Sequence, residues 1–248
     1  MKSFLAALQF LTVFPLRRAF PERSLEHASF WFPLVGLIIG LVVAGLDAIG
    51  TLCRIPPVIL SVLSVAMLAA LTGGLHMDGL ADTADGFLGA RDRARVLEIM
   101  RDSRIGTMGA LALLFAILLK AAALVDFEGT SRFCALVLAP LAGRSMQLAT
   151  MSLLPYARGP GGLATAFIRR RRRLFALWAF LWTGVGAVLL FGFVVGLGLI
   201  VVCLVGTTLL AAWSDRRIGG FTGDTLGATS EAIETLVLVC ACILVSGT

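Results

Sequence analysis

Residues 73–86, GGLHMDGLADTADG, hold three aspartates at a spacing that could do chemistry. Asp78, Asp82 and Asp85 stand at i, i+4 and i+7, which on a helix lays all three carboxylates along one stripe. Three like charges so placed repel one another, and the arrangement costs free energy unless a cation sits between them. Oxygen-only ligands favour a hard ion, Mg²⁺ or Mn²⁺, over zinc. The alternative is a solvated acidic face at a membrane exit, with Arg91 and Arg93 as counter-ions. Such faces usually mix Glu with Lys, whereas this one is purely Asp, flanked by glycines and next to His76, one of two histidines in the chain. His76 could serve as a general base toward an alcohol, on no more ground than its place beside the motif.

Two further stretches could handle an anion. In residues 101–110, RDSRIGTMGA, Arg101, Asp102 and Arg104 stand where an apolar helix begins. Free backbone N–H groups and the helix dipole favour phosphate there, although interfacial anchoring explains the same residues equally well. In residues 219–234, GGFTGDTLGATSEAIE, glycines including Gly223 let backbone approach a ligand, Thr222 and Thr225 add hydroxyls, and Asp224 and Glu231 add carboxylates. Arg144 is expected inside a span, where a charge is costly and turns toward a polar interior with a partner; the partner could be the aspartates, a substrate phosphate or a structural ion pair. Nothing resembles a Walker A loop or a Ser-His-Asp order. Residue chemistry thus reaches metal-dependent phosphotransfer at a membrane surface and stops.

The elements that must position these residues are membrane helices. The 248-residue chain is 58% apolar and 15% charged, with mean hydropathy +0.95. Soluble domains are less apolar and carry about a quarter charged residues, so this composition excludes a soluble enzyme, a disulfide scaffold and a disordered tail. Spans of roughly 20 apolar residues are expected at 31–49, 58–75, 105–125 and 133–154, two more within 174–213 with a turn near Gly192, Gly196 and Gly198, and a short one at 233–245. Lys120 falls late enough in its span to snorkel. The opening 4–14 is too short to span and runs into Pro15, Arg17 and Arg18 without a cleavage site, so it reads as a retained amphipathic or re-entrant segment. The expected fold class is all-α: one polytopic integral-membrane bundle over 1–248, with about seven transmembrane helices.

Charge gives the orientation. With the N-terminus cytoplasmic, seventeen of the 21 basic residues fall on the cytoplasmic loops, about 76–104, 155–173 and 214–231 among them, and only Arg54, Lys120 and Arg132 on the other side. The run Arg169 to Arg173 reads as a topology determinant at lipid headgroups. The net charge of +6 therefore reflects topology, and no nucleic acid is expected. The five cysteines form no C-x-x-C pair and read as packing residues. His27 and Asp47 carry no signal of their own.

Taken in order, ALQFLTVFP, FPLVGLIIG, GGLHMDGLADTADG, DSRIGTMGA and GGFTGDTLGA resemble the cobalamin synthase family, the adenosylcobinamide-GDP ribazoletransferases of late vitamin B12 assembly, over nearly the whole chain. The resemblance implies a multi-pass enzyme of a bacterial-type cytoplasmic (inner) membrane, with its active site facing the cytoplasm. It implies that the 5′-hydroxyl of α-ribazole, or of its 5′-phosphate, attacks the cobinamide-side phosphorus of adenosylcobinamide-GDP and releases GMP, with Mg²⁺ as cofactor. Carried onto these positions, Asp78, Asp82 and Asp85 bind metal, Asp224 completes the site or assists deprotonation, and Arg104 and Arg144 hold phosphate. Asp102, Gly223 and His76 join them as candidates for phosphate approach and acid–base work. Membrane lipid is a partner, and a homo-oligomer or a complex with other late pathway enzymes stays open.

Two other readings compete. CDP-alcohol phosphotransferases share a D-x-x-D-G-x-x-A-R pattern that Asp82, Asp85, Gly86, Ala90 and Arg91 nearly match, but one extra residue precedes Ala90 and no downstream pair of aspartates four apart follows. A small-solute transporter would place charges near the midplane of several helices, whereas here only Arg144 is expected inside a span.

Overall fold

The computed structural model describes residues 1–14, 16, 20–158 and 173–246. Its regular elements are α1 (Lys2–Leu11), α2 (Glu22–Glu26), a 3-10 turn (Ser29–Trp31), α3 (Phe32–Leu52), α4 (Pro57–Leu71), α5 (Leu75–Gly89), α6 (Arg93–Ile99), α7 (Thr107–Val125), α8 (Gly129–Leu153), α9 (Arg173–Ile218) and α10 (Gly223–Ser246). The only other pairing among the described residues is an isolated parallel bridge between Tyr156 and Phe221. Pro33 and Pro57 open α3 and α4, where a missing N–H forfeits no helical bond.

Five helices are long and apolar enough to cross a membrane, and α4 with α5 passes the same test as a sixth, bent by 91°. The expected seven is reached only if α9 is also divided at Gly192, whose φ of 78° and ψ of 174° break the helix. Gly192 makes the turn, and Gly196 serves packing between the two halves: a Cβ there would lie 2.8 Å from the Val188 Cα. α5 is no span by itself. Its three aspartates and His76 are foreign to hydrocarbon, and the apolar run ends with α4.

α8 is the centre of the bundle, contacted by α3, α9 and α10. Every residue from Cys134 to Thr150 is buried, 94% of its most apolar stretch against 22% for α9. In a bilayer the outermost helix can be the most apolar and the central one the most polar, which is why Arg144 sits on α8. Gly36 and Gly40 of α3 meet α8 at the carbonyls of Pro140 and Val137; a Cβ on Gly40 would come within 2.7 Å of the latter. The FPLVGLIIG stretch is thus a small-xxx-small packing seam. α1 buries Ala6, Ala7 and Leu11 and stacks Phe10 on Phe32, and the Val13 N–H then donates to the Leu71 carbonyl at 2.9 Å.

Three expectations change. The final helix begins at Gly223 rather than near residue 233, because Thr222 and Thr225 cap it reciprocally and Glu231 and Glu234 find cations within the bundle. Lys120 does not snorkel: it is 1% exposed and its Nζ lies 2.6 Å from both Glu231 and Glu234. Asp47, silent in the sequence, pairs with Arg132 at 2.7 Å and accepts from Ser64 at the bundle end remote from α5. The five cysteines are free thiols. Arg17, Arg18 and the arginines at 169–172, expected to help set topology, lie outside the described residues.

Candidate active site

The bend between α4 and α5 builds one wall of a cleft. Gly73 and Gly74 take φ of 60° and 73°, a left-handed conformation that side-chain-bearing residues resist, and α5 leaves at 91°. Asp78 and Asp82 then line a cleft of about 610 Å³ with Phe10, Gly74, Ser103 and Ile105. Asp78 is exposed and Asp82 half-buried.

Asp85, third on the stripe, turns elsewhere. Its two carboxylate oxygens accept from the Gly106 N–H at 2.7 Å and the Gly109 N–H at 2.8 Å. These donors stand at the start of α7, where N–H groups lack helical partners and the dipole favours an anion. Asp85 therefore fixes α7 to α5.

The fourth carboxylate arrives through glycine contacts. A Cβ on Gly79 would lie 2.7 Å from the Asp224 carbonyl oxygen, and one on Gly227 would lie 3.1 Å from the His76 carbonyl oxygen. α5 and α10 thus approach closely enough to bring Asp224, at the start of α10, beside the cleft. Arg158 Nη2 donates to Asp224 Oδ2 at 2.7 Å, and the Thr222 hydroxyl donates to the same oxygen at 3.3 Å.

A hydrogen-bonded frame holds Arg158. The Phe221 N–H donates to the Pro155 carbonyl and the Ala157 N–H to the Phe221 carbonyl, both at 2.8 Å. Arg93 donates to the Ala157 and Ile218 carbonyls, and Arg217 to those of Phe87 and Ala90. Beneath these bonds Phe87, Val96, Met100, Ala157 and Ile218 form a small apolar core apart from the main one.

Among the described residues, carboxylates outnumber cations around Asp82. Burial and then the neighbouring charges of Asp78 and Asp224 push the Asp82 carboxyl up to about 7, with Arg158 opposing. Asp102 and Arg104 alternate with the cleft-lining Ser103 and Ile105 and are closed on each other by a forked pair of bonds that brings Asp102 down to about 2. The Arg104 side chain is 87% exposed. Gly223 is exposed at the start of α10, and a Cβ there would meet nothing within 4 Å.

Two expected site residues are corrected. Arg144 is 1% exposed and ion-paired with Glu234, so it takes the structural-pair alternative and does not reach a phosphate in the cleft. His76, also 1% exposed, has Nδ1 3.3 Å from Arg144 Nη2; it lies on the inner face of α5, outside the lining of the Asp78 and Asp82 cleft. Lys120, Arg144, Glu231 and Glu234 form a buried nest with His76 against it. Sequence reading missed Arg158, Glu234 and the role of Lys120. The two glutamates in an otherwise apolar run were a usable signal for the nest, and Arg158 gave none beyond its charge.

Among the described residues no group of three or more His, Cys, Asp or Glu side chains is placed to hold a metal ion, so the expected set of Asp78, Asp82 and Asp85 does not converge on one point, Asp85 being turned to the start of α7. What the site offers is an open pair of carboxylates, a third across from them and one guanidinium.

Residues 3–242 match the model of a family described as cobalamin-5-phosphate synthase. A protein of Desulforamulus reducens named adenosylcobinamide-GDP ribazoletransferase is 38% identical over 94% of this chain and 92% of its own length. Proteins of the same name from Syntrophobacter fumaroxidans and Stutzerimonas stutzeri are 41% and 42% identical, each over 96% of this chain and 97% of their own. No solved structure matches the chain.

Proposed function

Since this chain belongs to the cobalamin-5-phosphate synthase family, we propose that it is an adenosylcobinamide-GDP ribazoletransferase whose reaction takes place at the cleft of Asp78 and Asp82. The 5′-hydroxyl oxygen of α-ribazole, or of its 5′-phosphate, bonds to the cobinamide-side phosphorus of adenosylcobinamide-GDP. The bond from that phosphorus to the bridging oxygen breaks, GMP leaves with that oxygen, and the product is adenosylcobalamin or its phosphate. The observation that carries this reading is the open, cation-poor carboxylate cleft in a chain with such relatives.

Asp78 and Asp82 fit a divalent cation such as Mg²⁺ or Mn²⁺, because such ions take one or two carboxylates and complete their shell with water and phosphate oxygens, and because burial and the neighbouring carboxylates of Asp78 and Asp224 disfavour an uncompensated charge on Asp82. Bound there, the cation would polarise the phosphoryl oxygens and neutralise charge on the departing nucleotide. Asp224 accepts the hydroxyl proton: its two hydrogen bonds among the described residues both fall on Oδ2, which leaves Oδ1 for a substrate. Gly223 and the open N-terminal turn of α10 give backbone N–H groups for a phosphate oxygen. Asp85 keeps α7 against the cleft, and Phe10 and Ile105 give it an apolar flank.

The excess of basic residues on the loops at the cleft end supports a bacterial-type inner membrane, with N-terminus and site toward the cytoplasm. The test is GMP release by purified protein given adenosylcobinamide-GDP, α-ribazole and Mg²⁺, run beside CDP-diacylglycerol with an alcohol. GMP is expected from the first mixture; CMP from the second and no GMP would overturn the assignment. Removing the cation with EDTA is expected to stop GMP release and added Mg²⁺ to restore it; release unchanged by EDTA would refute the cation's part.

A further inference from the structure

We propose that Arg158 is the guanidinium that binds the diphosphate of the nucleotide-activated substrate, an inference that rests on the transferase reading above. Of the two arginines expected from sequence for that task, Arg144 is held in its buried pair and Arg104 is closed on Asp102. Arg158 stands inside the carboxylate group, with Nη2 2.7 Å from Asp224 Oδ2 and its side chain 18% exposed. The Nη2 has a second, longer contact with the Met100 carbonyl at 3.4 Å.

Its Nε is buried and has no hydrogen-bond partner among the described residues. A buried N–H left without an acceptor is costly, and here the orphan belongs to a guanidinium, whose charged planar donors suit a phosphate oxygen. The frame explains why the donor is kept in place. Pro155 and Ala157 are bonded on both sides of Phe221, and Arg93 holds the Ala157 carbonyl, so the backbone leading into Arg158 is fixed. A phosphate oxygen satisfies Nε while Nη2 keeps Asp224 in position, so one side chain joins the proton acceptor to the leaving diphosphate.

The test uses the full-length protein in detergent or nanodiscs, assayed for GMP release while adenosylcobinamide-GDP and α-ribazole are varied separately. Arg158→Ala is expected to raise KM for adenosylcobinamide-GDP about tenfold or more, the worth of one charge-assisted hydrogen bond, and to leave KM for α-ribazole unchanged. GMP as product inhibitor is expected to weaken by a similar factor. Arg216→Ala, which removes one exposed positive charge outside the cleft, is expected to change neither. Arg158→Lys keeps the charge but not the fork, and carries the same expectation on KM if the alanine variant does not insert. Unchanged KM and unchanged GMP inhibition in both Arg158 variants, with only a lower Tm, would overturn the proposal by making Arg158 part of the frame alone. If the wild type releases no GMP, the transferase reading fails; binding of GDP to wild type and Arg158 variants then still reads the arginine.

Discussion

Two charge clusters draw carboxylates from the same helix, α10, the nest completing them from α7 and α8 and the cleft from α5, and they differ in balance. In the nest, Lys120 and Arg144 face Glu231 and Glu234, two cations for two anions, with each of the four side chains 5% exposed or less. At the cleft, Asp78, Asp82 and Asp224 face Arg158 alone among the described residues, and the group is partly open to solvent. A buried set of charges is tolerated when each ion is paired, so the nest is balanced in charge as it stands. The cleft is incomplete, and the deficit is of positive charge. Arginine and carboxylate types recur in both, so the imbalance and the opening separate a binding site from a structural one.

Each cluster predicts a different consequence of damage, which makes the contrast breakable. The largest effect is expected at the cleft: Asp82→Asn lowers GMP release on the order of a thousandfold, about 4 kcal/mol in barrier, while Tm stays level or rises because one of several like charges is gone. An active Asp82→Asn enzyme would remove the cleft from the chemistry. At the nest, Arg144→Met leaves Glu234 without that partner and is expected to cost about 3–5 kcal/mol of stability, read by denaturation in detergent. Adding Glu234→Leu to it is expected to recover part of that loss, and a double variant no better than the single would deny the pairing.

At the joint between the clusters, Gly79→Leu pushes α10 from α5 and is expected to cost about 1–3 kcal/mol by overpacking, with GMP release falling as Asp224 is displaced. Normal turnover in that variant would show that the close approach does not position Asp224. The smallest effect belongs to Arg104→Ala, expected to change GMP release by less than about twofold because an exposed local pair contributes little. A large loss there would return Arg104 to the site.

The spans were legible because hydrocarbon imposes a simple rule: about 20 apolar residues for each crossing. α3, α7 and α8 accordingly lie within a few residues of expectation. The start of α10 was misjudged by about ten residues for an instructive reason. Glu231 and Glu234 look like loop residues until Lys120 and Arg144, more than 80 positions away in sequence, are seen to neutralise them. The aspartate stripe was legible as a pattern, yet the helical period does not say which members face a ligand. Asp85 shares a stripe with Asp82 and still spends its oxygens on the N-terminus of α7.

The sequence by itself determined the solvent, the helical class, the side on which basic residues gather, the family, and the aspartates at which chemistry is sought. Those properties follow from composition and local spacing, which each stretch of chain carries alone. Tertiary structure decided which charged residues are free to act. It paired Arg144 and Lys120 inside the bundle, closed Arg104 on Asp102, turned His76 inward and brought Arg158 to Asp224. The free energy of a charge depends on its neighbours within a few ångströms, and in a helical bundle those neighbours come from distant parts of the chain.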